Sequence, residues 1–141
     1  FINKILNAVN YKITTDEFCE IYSSVFKENK EVAALLPKLK KNFKLVLLSN
    51  TNSIHQEYGW KNYGFLKYFD KLILSHKVGA IKPEKEIYKC VENFTKEPPD
   101  HHIFIDDVLE YVNAAKKLGW DAIQFTDYNN LITELKNRKI L

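Results

Sequence analysis

The sequence predicts an α/β fold with a doubly wound parallel sheet flanked by helices, and three observations support this prediction. Short apolar runs that do not alternate with polar residues, such as residues 44–48, are typical of strands buried on both faces of a parallel sheet. Segments with helical periodicity separate these runs along the chain. The 141 residues contain no internal repeat and no obvious linker, so one domain with one core is expected.

The helices are predicted from apolar stripes and from residues that begin or end helices. The sequence Thr14-Thr15-Asp16-Glu17 is typical of a helix N-terminus, with a Thr or Asp N-cap and acidic residues in the first turn. Pro83 is expected at the first position of a helix, where its missing N–H costs nothing, and Gly119 is expected just beyond a helix end. Pro37 is expected to kink its segment or to mark a boundary. The predicted helical segments are residues 1–9, 30–41, 83–94 and 109–118, with a further helix beginning near Thr14.

Composition argues against several classes of function. The formal net charge is only +3 and the lysines are spread along the chain, whereas nucleic-acid-binding proteins concentrate basic residues on one face. No run approaches the roughly 18 to 20 apolar residues of a membrane span. Cys19 and Cys90 show no metal-ligand spacing and are expected to be buried thiols in a reducing compartment, which favours a cytoplasmic location.

Polar side chains follow three of the predicted strands. The predicted strands are residues 44–48, 71–74, 102–105 and 122–125. Ser49 and Asn50 come directly after the first strand, and Lys82 lies beyond the second. Asp106 and Asp107 follow the third. Because ligands of open α/β sheets bind beyond the carboxyl ends of the strands, these side chains are candidates for one site. Carboxylates suit a hard cation such as Mg²⁺, while a lysine and a hydroxyl suit phosphoryl oxygens.

Motifs II, III and IV of the haloacid dehalogenase superfamily resemble three segments of this sequence: LLSNTN, FDKLILSHKVGAIKPEKEIY and FIDDVLEYVNAAKKLGWDAIQF. The similarity keeps the family's order and covers about two-thirds of the chain, from Phe43 onward. The preceding TTDEFCEIYSSVF resembles the end of a helical cap found in one subgroup. The resemblance implies a Rossmann-like core over residues 30–141 and a remnant of a small helical cap over residues 1–29.

The resemblance also implies a role for each polar residue. Ser49 would bind a phosphoryl oxygen through its hydroxyl, with the backbone amide of Asn50 beside it. Lys82 would act in catalysis by neutralising charge on the nucleophile and on the transferring group. Asp107 would be the main Mg²⁺ ligand, while Asp106 would either ligate the metal or orient Lys82. The implied activity is Mg²⁺-dependent hydrolysis of a small phosphate monoester through an aspartyl-phosphate.

The sequence departs from the family at its first motif, Asp-x-Asp-x-Thr/Val, which supplies the nucleophile and the general acid/base. No such motif occurs in the 141 residues, so this chain by itself is expected to be inactive. In the family, the strand with this motif lies between the strands of motifs II and IV. A sheet without it has unpaired edges and an open core. We therefore expect an N-terminal segment with that strand to belong to the protein. Direct pairing of the strands at residues 45–48 and 103–105 would contradict this expectation.

Other functions remain open at this stage. A haloacid dehalogenase needs no Mg²⁺, and the paired Asp106 and Asp107 favour a phosphatase; mutase-like phosphoryl transfer is not excluded. A degenerate domain that binds a partner or a phosphorylated ligand fits the absent nucleophile, although the other polar residues are intact. In a response-regulator receiver the acidic pair precedes the lysine, whereas here Lys82 comes first.

Each polar residue also has an ordinary structural interpretation. Asp106 and Asp107 are good helix caps, Ser49 and Asn50 are good turn formers, and most lysines are solvated. The aromatic-rich residues 58–69 are expected to pack against the core, and the histidines, which lack metal-ligand spacing, are expected to be structural.

Overall fold

The computed structural model describes residues 1–10 and 12–141. The strands are β1 (Val46–Ser49), β2 (Lys71–Leu74), β3 (Ile103–Asp106) and β4 (Asp121–Gln124). The α-helices are α1 (Ile2–Ala8), α2 (Thr15–Ser23), α3 (Lys30–Ala33), α4 (Leu36–Leu39), α5 (Ser75–Val78), α6 (Lys85–Thr95), α7 (Leu109–Lys117) and α8 (Tyr128–Asn137). A π-helical segment spans His55–Trp60, and 3₁₀ helices span Gly64–Tyr68 and Pro99–His101.

Two predicted helix ends are confirmed, the start of α2 near Thr14 and the end of α7 before Gly119. Thr14 caps α2: its hydroxyl accepts a hydrogen bond from the backbone N–H of Glu17 at 3.2 Å, and the Glu17 carboxylate accepts one from the Thr14 N–H at 2.7 Å. This reciprocal pair satisfies two donors at the start of the helix. Gly119, just beyond α7, has a φ of +92°, a conformation that glycine adopts without steric cost.

The helix boundary predicted near Pro37 is confirmed, whereas the prediction about Pro83 needs correction. The segment at residues 30–41 forms two short helices, α3 and α4, and Pro37 lies in the first turn of α4, where no intrahelical N–H is needed. Pro83 does not begin a helix, because α6 starts at Lys85. The chain first turns at Ile81–Glu84, where the Glu84 N–H donates to the Ile81 carbonyl at 2.8 Å and the Glu84 carboxylate accepts from the Ile81 N–H at 3.0 Å.

The predicted parallel α/β architecture is confirmed, with the strands arranged as two parallel pairs. β1 pairs with β2 in the register Val46 to Lys71, and β3 pairs with β4 in the register Ile103 to Asp121. Within the described residues, β1 and β3 share no hydrogen-bonded ladder. The pairing that would contradict a missing central strand is therefore not found.

Helices cover both faces of the strands. On the first face, α6 and α7 pack against both strand pairs, and Tyr88 is fully buried among Ile73, Phe104 and Trp120. On the second face, α8 and the end of α3 pack mainly against β4, with Ile123, Leu131 and Leu135 buried together. Adjacent residues of β4, Ala122 and Ile123, point to opposite faces, as expected for a strand.

A groove separates β1 from β3, and we call it the inter-strand groove. Cavities of about 410 and 690 Å³ open along it, and both are lined by Val46, Leu48, Ile103 and Ile105. Ile103 and Ile105 are each 38% exposed although they lie within a strand. The groove thus exposes apolar side chains between two strand edges that could each pair with another strand.

Helix α2 contacts the segment that follows β1. The ring of Tyr22 in α2 lies 4.4 Å from the ring of His55, and the Ser23 hydroxyl donates to the Ile54 carbonyl at 3.3 Å. Cys19 in α2 is buried and Cys90 in α6 is half-buried, and both are free thiols. Throughout the described part of the chain, every helix is too short or too polar to cross a membrane.

Candidate active site

The loop after β1 is fixed by a serine that begins α5. The Ser75 hydroxyl accepts a hydrogen bond from the Thr51 N–H at 2.9 Å and donates to the Thr51 carbonyl at 2.8 Å. Ser75 is only 7% exposed, so these bonds are largely shielded from water. Because Thr51 follows Asn50 directly, Ser75 sets the course of the chain as it leaves β1.

The side chain of Asn50 hydrogen-bonds to both polar backbone groups of Lys82, the N–H and the carbonyl. The Lys82 N–H donates to Asn50 Oδ1 at 2.7 Å, and Asn50 Nδ2 donates to the Lys82 carbonyl at 2.9 Å. Asn50 Nδ2 also lies 3.3 Å from the hydroxyl oxygen of Tyr111 in α7. The side chain of Asn50 therefore connects the end of β1 to the loop before α6 and to α7.

Lys82 and Asp106 form an ion pair that is almost closed to solvent. Lys82 Nζ lies 2.6 Å from Asp106 Oδ2, and each side chain is 9% exposed. The other oxygen, Asp106 Oδ1, accepts from the Val108 N–H at 2.9 Å. The ammonium also lies 5.0 Å from the ring centre of Tyr111 and 5.6 Å from that of Phe104, within the range of cation–π attraction. Lys82 lies in the loop between α5 and α6, beyond β2, and Asp106 ends β3. The ion pair therefore connects the side of the β1–β2 pair to the β3–β4 pair.

A buried tyrosine supports the same region from the first face. The Tyr88 hydroxyl donates to the Tyr111 carbonyl at 3.0 Å. Burial, followed by the nearby charge of Asp106, raises the pKa of Tyr88 to about 12. Tyr88 therefore stays protonated and keeps this donor at neutral pH.

Asp107 is the carboxylate of the acidic pair that remains available. Its side chain is exposed, and its carbonyl accepts from Gln124 Nε2 at 3.2 Å. In the described residues, no three Asp, Glu, His or Cys side chains come together as a metal site. Mg²⁺ commonly takes one or two carboxylates and fills its other positions with water and phosphate oxygens. The exposed Asp107, next to Asp106, fits that mode of binding.

Ser49 ends β1 beside Asn50, and its hydroxyl makes no hydrogen bond to any other described residue. It lines a cavity of about 300 Å³ whose walls include Phe26, Trp60 and Tyr63.

His55 also follows β1. Its ring packs between Tyr22 and Phe26, and its Nε2 has no partner within the described part of the chain.

The structure brings three of the five predicted residues into direct contact, namely Asn50, Lys82 and Asp106. Ser49 and Asp107 adjoin them along the chain. Sequence reasoning missed two residues that hold this cluster, Ser75 and Tyr111. Ser75 follows a predicted strand just as Ser49 does, which is a usable signal. Tyr111 lies in a helical stripe and could not be distinguished from a core residue.

Known proteins share this fold and this sequence pattern. The family model described as haloacid dehalogenase-like hydrolase matches residues 2–125. A D-ribitol-5-phosphate phosphatase of Bacteroides thetaiotaomicron is 30% identical over 92 residues, which is 61% of this chain and 45% of that protein. A pyrimidine 5'-nucleotidase of Escherichia coli is 27% identical over 93 residues, 62% of this chain and 41% of that protein.

A solved structure extends the similarity to three dimensions. It is a haloacid dehalogenase family enzyme of Bacteroides thetaiotaomicron in complex with magnesium and inorganic phosphate. The TM-score is 0.80 at 28% identity, over 92% of this chain and 70% of that one. The chain spans less than half the length of the two curated relatives above. Because the family model matches most of its residues, the chain belongs to the haloacid dehalogenase-like hydrolases.

Proposed function

We propose that this chain forms most of the core of a Mg²⁺-dependent phosphatase that acts on small phosphate monoesters. The observation that carries the proposal is the Lys82–Asp106 ion pair at the carboxyl ends of the strands. Asn50 is hydrogen-bonded to the Lys82 backbone, and Asp107 follows Asp106 directly in the chain. Relatives named as phosphatases of small phosphorylated metabolites support it, as does the related enzyme bound to magnesium and phosphate.

Each side chain has a task that follows from its chemistry. The Lys82 ammonium offers a fixed positive charge to phosphoryl oxygens, and Asp106 keeps that charge in place. The Ser49 hydroxyl is free to donate to a phosphoryl oxygen. Asp107, with Asp106, would hold Mg²⁺, which supplies charge neutralisation for the transferring phosphoryl group.

The nucleophile belongs to a fifth parallel strand in this proposal. The inter-strand groove has the features that such a strand needs, namely two strand edges without a partner in the described part of the chain and exposed Ile103 and Ile105. A carboxylate at the carboxyl end of a strand placed there would lie between the end of β1 and Asp106, close to the ammonium group of Lys82. A carboxylate is a suitable nucleophile for phosphoryl transfer.

The activity is tested with the intact protein and p-nitrophenyl phosphate as a general monoester. We expect hydrolysis that requires Mg²⁺ and that is lost in Lys82→Met and Asp107→Asn. Lys77→Met, which removes an exposed lysine of α5, is the matched control and keeps wild-type activity. Phosphate binding without turnover by the intact protein would favour the binding-domain alternative, and metal-independent release of halide from a haloacid would favour the dehalogenase.

The fifth strand is tested by amide hydrogen exchange. If a strand occupies the groove in the intact protein, the amides of β1 and β3 that face it will be protected as strongly as those between β3 and β4. Fast exchange at both groove edges in the intact protein would contradict this part of the proposal.

A further inference from the structure

We infer that the side chain of Asn50, supported by Tyr111, is a positioning residue for Lys82. The inference rests on the proposed role of Lys82 and gives Asn50 a task beyond the backbone amide that the sequence resemblance assigns to it. The two hydrogen bonds between Asn50 and the Lys82 backbone fix both polar groups of one residue. A lysine side chain is long and flexible, so fixing its backbone removes much of the freedom of its ammonium.

Tyr111 contacts both partners of this arrangement. Its hydroxyl lies 3.3 Å from Asn50 Nδ2, and its ring centre lies 5.0 Å from Lys82 Nζ. The carbonyl of Tyr111 is in turn held by the buried Tyr88 hydroxyl at 3.0 Å. Asn50 thus acts on the backbone of Lys82, Tyr111 acts on its ammonium, and the two side chains stabilise each other.

The geometry favours positioning over a merely structural role. A side chain that only stabilises a turn would hydrogen-bond to backbone groups of its own loop. Asn50 instead hydrogen-bonds to Lys82, which lies 32 residues further along the chain. The loop itself is already held by Ser75 through Thr51. The hydrogen-bonding capacity of Asn50 is therefore available for Lys82 and Tyr111.

The direct test is nuclear magnetic resonance of Lys82 in wild type, Asn50→Ala and Asn50→Asp. In wild type we expect slow exchange of the Lys82 amide proton and upfield shifts of its side-chain methylene protons from the Tyr111 and Phe104 rings. Asn50→Ala keeps both rings, so a loss of these upfield shifts reports displacement of the lysine. Asn50→Asp keeps the acceptor for the Lys82 N–H but loses both donated bonds, and we expect it to retain amide protection and to lose part of the shifts.

The matched control is Asn52→Ala, which removes the hydrogen bond from the His55 N–H in the same loop and touches neither Lys82 nor Tyr111. We expect wild-type Lys82 signals in this variant. Wild-type Lys82 exchange and methylene shifts in Asn50→Ala would overturn the inference. If Asn50→Ala does not fold, Asn50→Asp decides in the same way, through the methylene shifts.

The consequence for catalysis is measured separately with the intact protein. We expect Asn50→Ala and Tyr111→Leu to lower kcat/KM for p-nitrophenyl phosphate by about 10- to 100-fold, because a small displacement of a charged group costs that much. Tyr111→Phe, which keeps the ring, should recover most of the loss seen in Tyr111→Leu. An absence of turnover in wild type would contradict the proposed function and leave the magnetic resonance test of Asn50 decisive on its own.

Discussion

The two faces of the strands differ in how they join the two halves of the molecule. On the first face, one apolar cluster contains residues of both strand pairs, and the ring of Tyr88 within it packs against Phe104 and Trp120. On the second face, the smaller cluster around Ile123 and Leu135 lies on β4, and the 690 Å³ cavity separates it from β1. Among the described residues, the larger apolar cluster that spans both strand pairs therefore lies on the first face.

Polar contacts add to this connection at the carboxyl ends of the strands. Lys82 pairs with Asp106, and Asn50 reaches Tyr111, each across the two strand pairs. The candidate site is thus located where the halves meet. Its geometry depends on the first face, so the two faces are expected to respond differently to substitution.

The largest difference is expected for Tyr88→Ala. It removes a fully buried ring from the larger cluster, and we expect a loss of about 3–5 kcal/mol in the free energy of unfolding. Leu135→Ala, at a residue 2% exposed on the second face, should cost about 2–3 kcal/mol, at the lower end of the usual range because Leu135 already lines a cavity. Urea unfolding measures both values. A greater cost for Leu135→Ala would contradict the comparison.

The next effect concerns the ion pair between the halves. Asp106→Asn leaves the shielded Lys82 ammonium without its counter-charge, and we expect a loss of about 3 kcal/mol, at the lower end of the range for a buried pair because both side chains keep some exposure. Asp107→Asn, one residue away but exposed, should change the free energy of unfolding by less than about 0.5 kcal/mol. Equal losses in the two variants would show that the pair does not join the halves. Thermal or urea unfolding without Mg²⁺ is the appropriate measurement.

A smaller, pH-dependent effect is expected on the second face. The Arg138 guanidinium donates to both oxygens of Asp121, at 2.6 and 3.1 Å, and holds the pKa of that carboxyl below its usual range. Because the folded-state pKa is lowered, the stabilisation is present above the unfolded value of about 3.9 and is lost as pH falls through the folded value.

Asp121→Asn should therefore cost about 0.5–1 kcal/mol at neutral pH, a modest amount because the Asp121 side chain is 41% exposed. The difference from wild type should shrink below about pH 4. A difference that stays constant or grows in acid would contradict the assigned sign. Urea unfolding across this pH range provides the measurement.

The smallest effect is expected in the inter-strand groove. In the 141-residue chain, Ile105→Thr should cost less than about 1 kcal/mol, because Ile105 is 38% exposed. Ile123→Thr, at a residue 3% exposed, should cost about 2–3 kcal/mol. A large cost for Ile105→Thr in this chain would contradict its exposed position. A large cost that appears only in a longer form of the protein would support the fifth strand.

Sequence reasoning was most reliable where one local pattern decides the structure. The apolar runs located all four strands to within two residues, and the helix start predicted at residues 14–17 and the helix end at Gly119 were correct. It failed at Pro83 because a turn at Ile81–Glu84 delays the helix, and proline suits both positions. The strand ends also indicated Asn50, Lys82 and Asp106.

Two details of the site could not be predicted in this way. Nothing local indicates that the Asn50 side chain is directed towards the Lys82 backbone, because that contact depends on how two distant loops meet. Tyr111 fits the apolar stripe of its helix, so its contact with the lysine was hidden by an ordinary pattern. Long-range side-chain contacts are determined by tertiary packing, which spacing along the chain does not encode.

Among residues 1–10 and 12–141, no strand pairs with the groove edges of β1 and β3, and this has a consequence for the behaviour of the chain in solution. Open strand edges with apolar side chains act as templates on which other copies can add strands, and they favour amyloid-like stacking. The 141-residue chain should therefore self-associate more as its concentration rises, with the new contacts forming at the groove. Ile105→Lys would discourage such contacts and should improve solubility at little cost in stability.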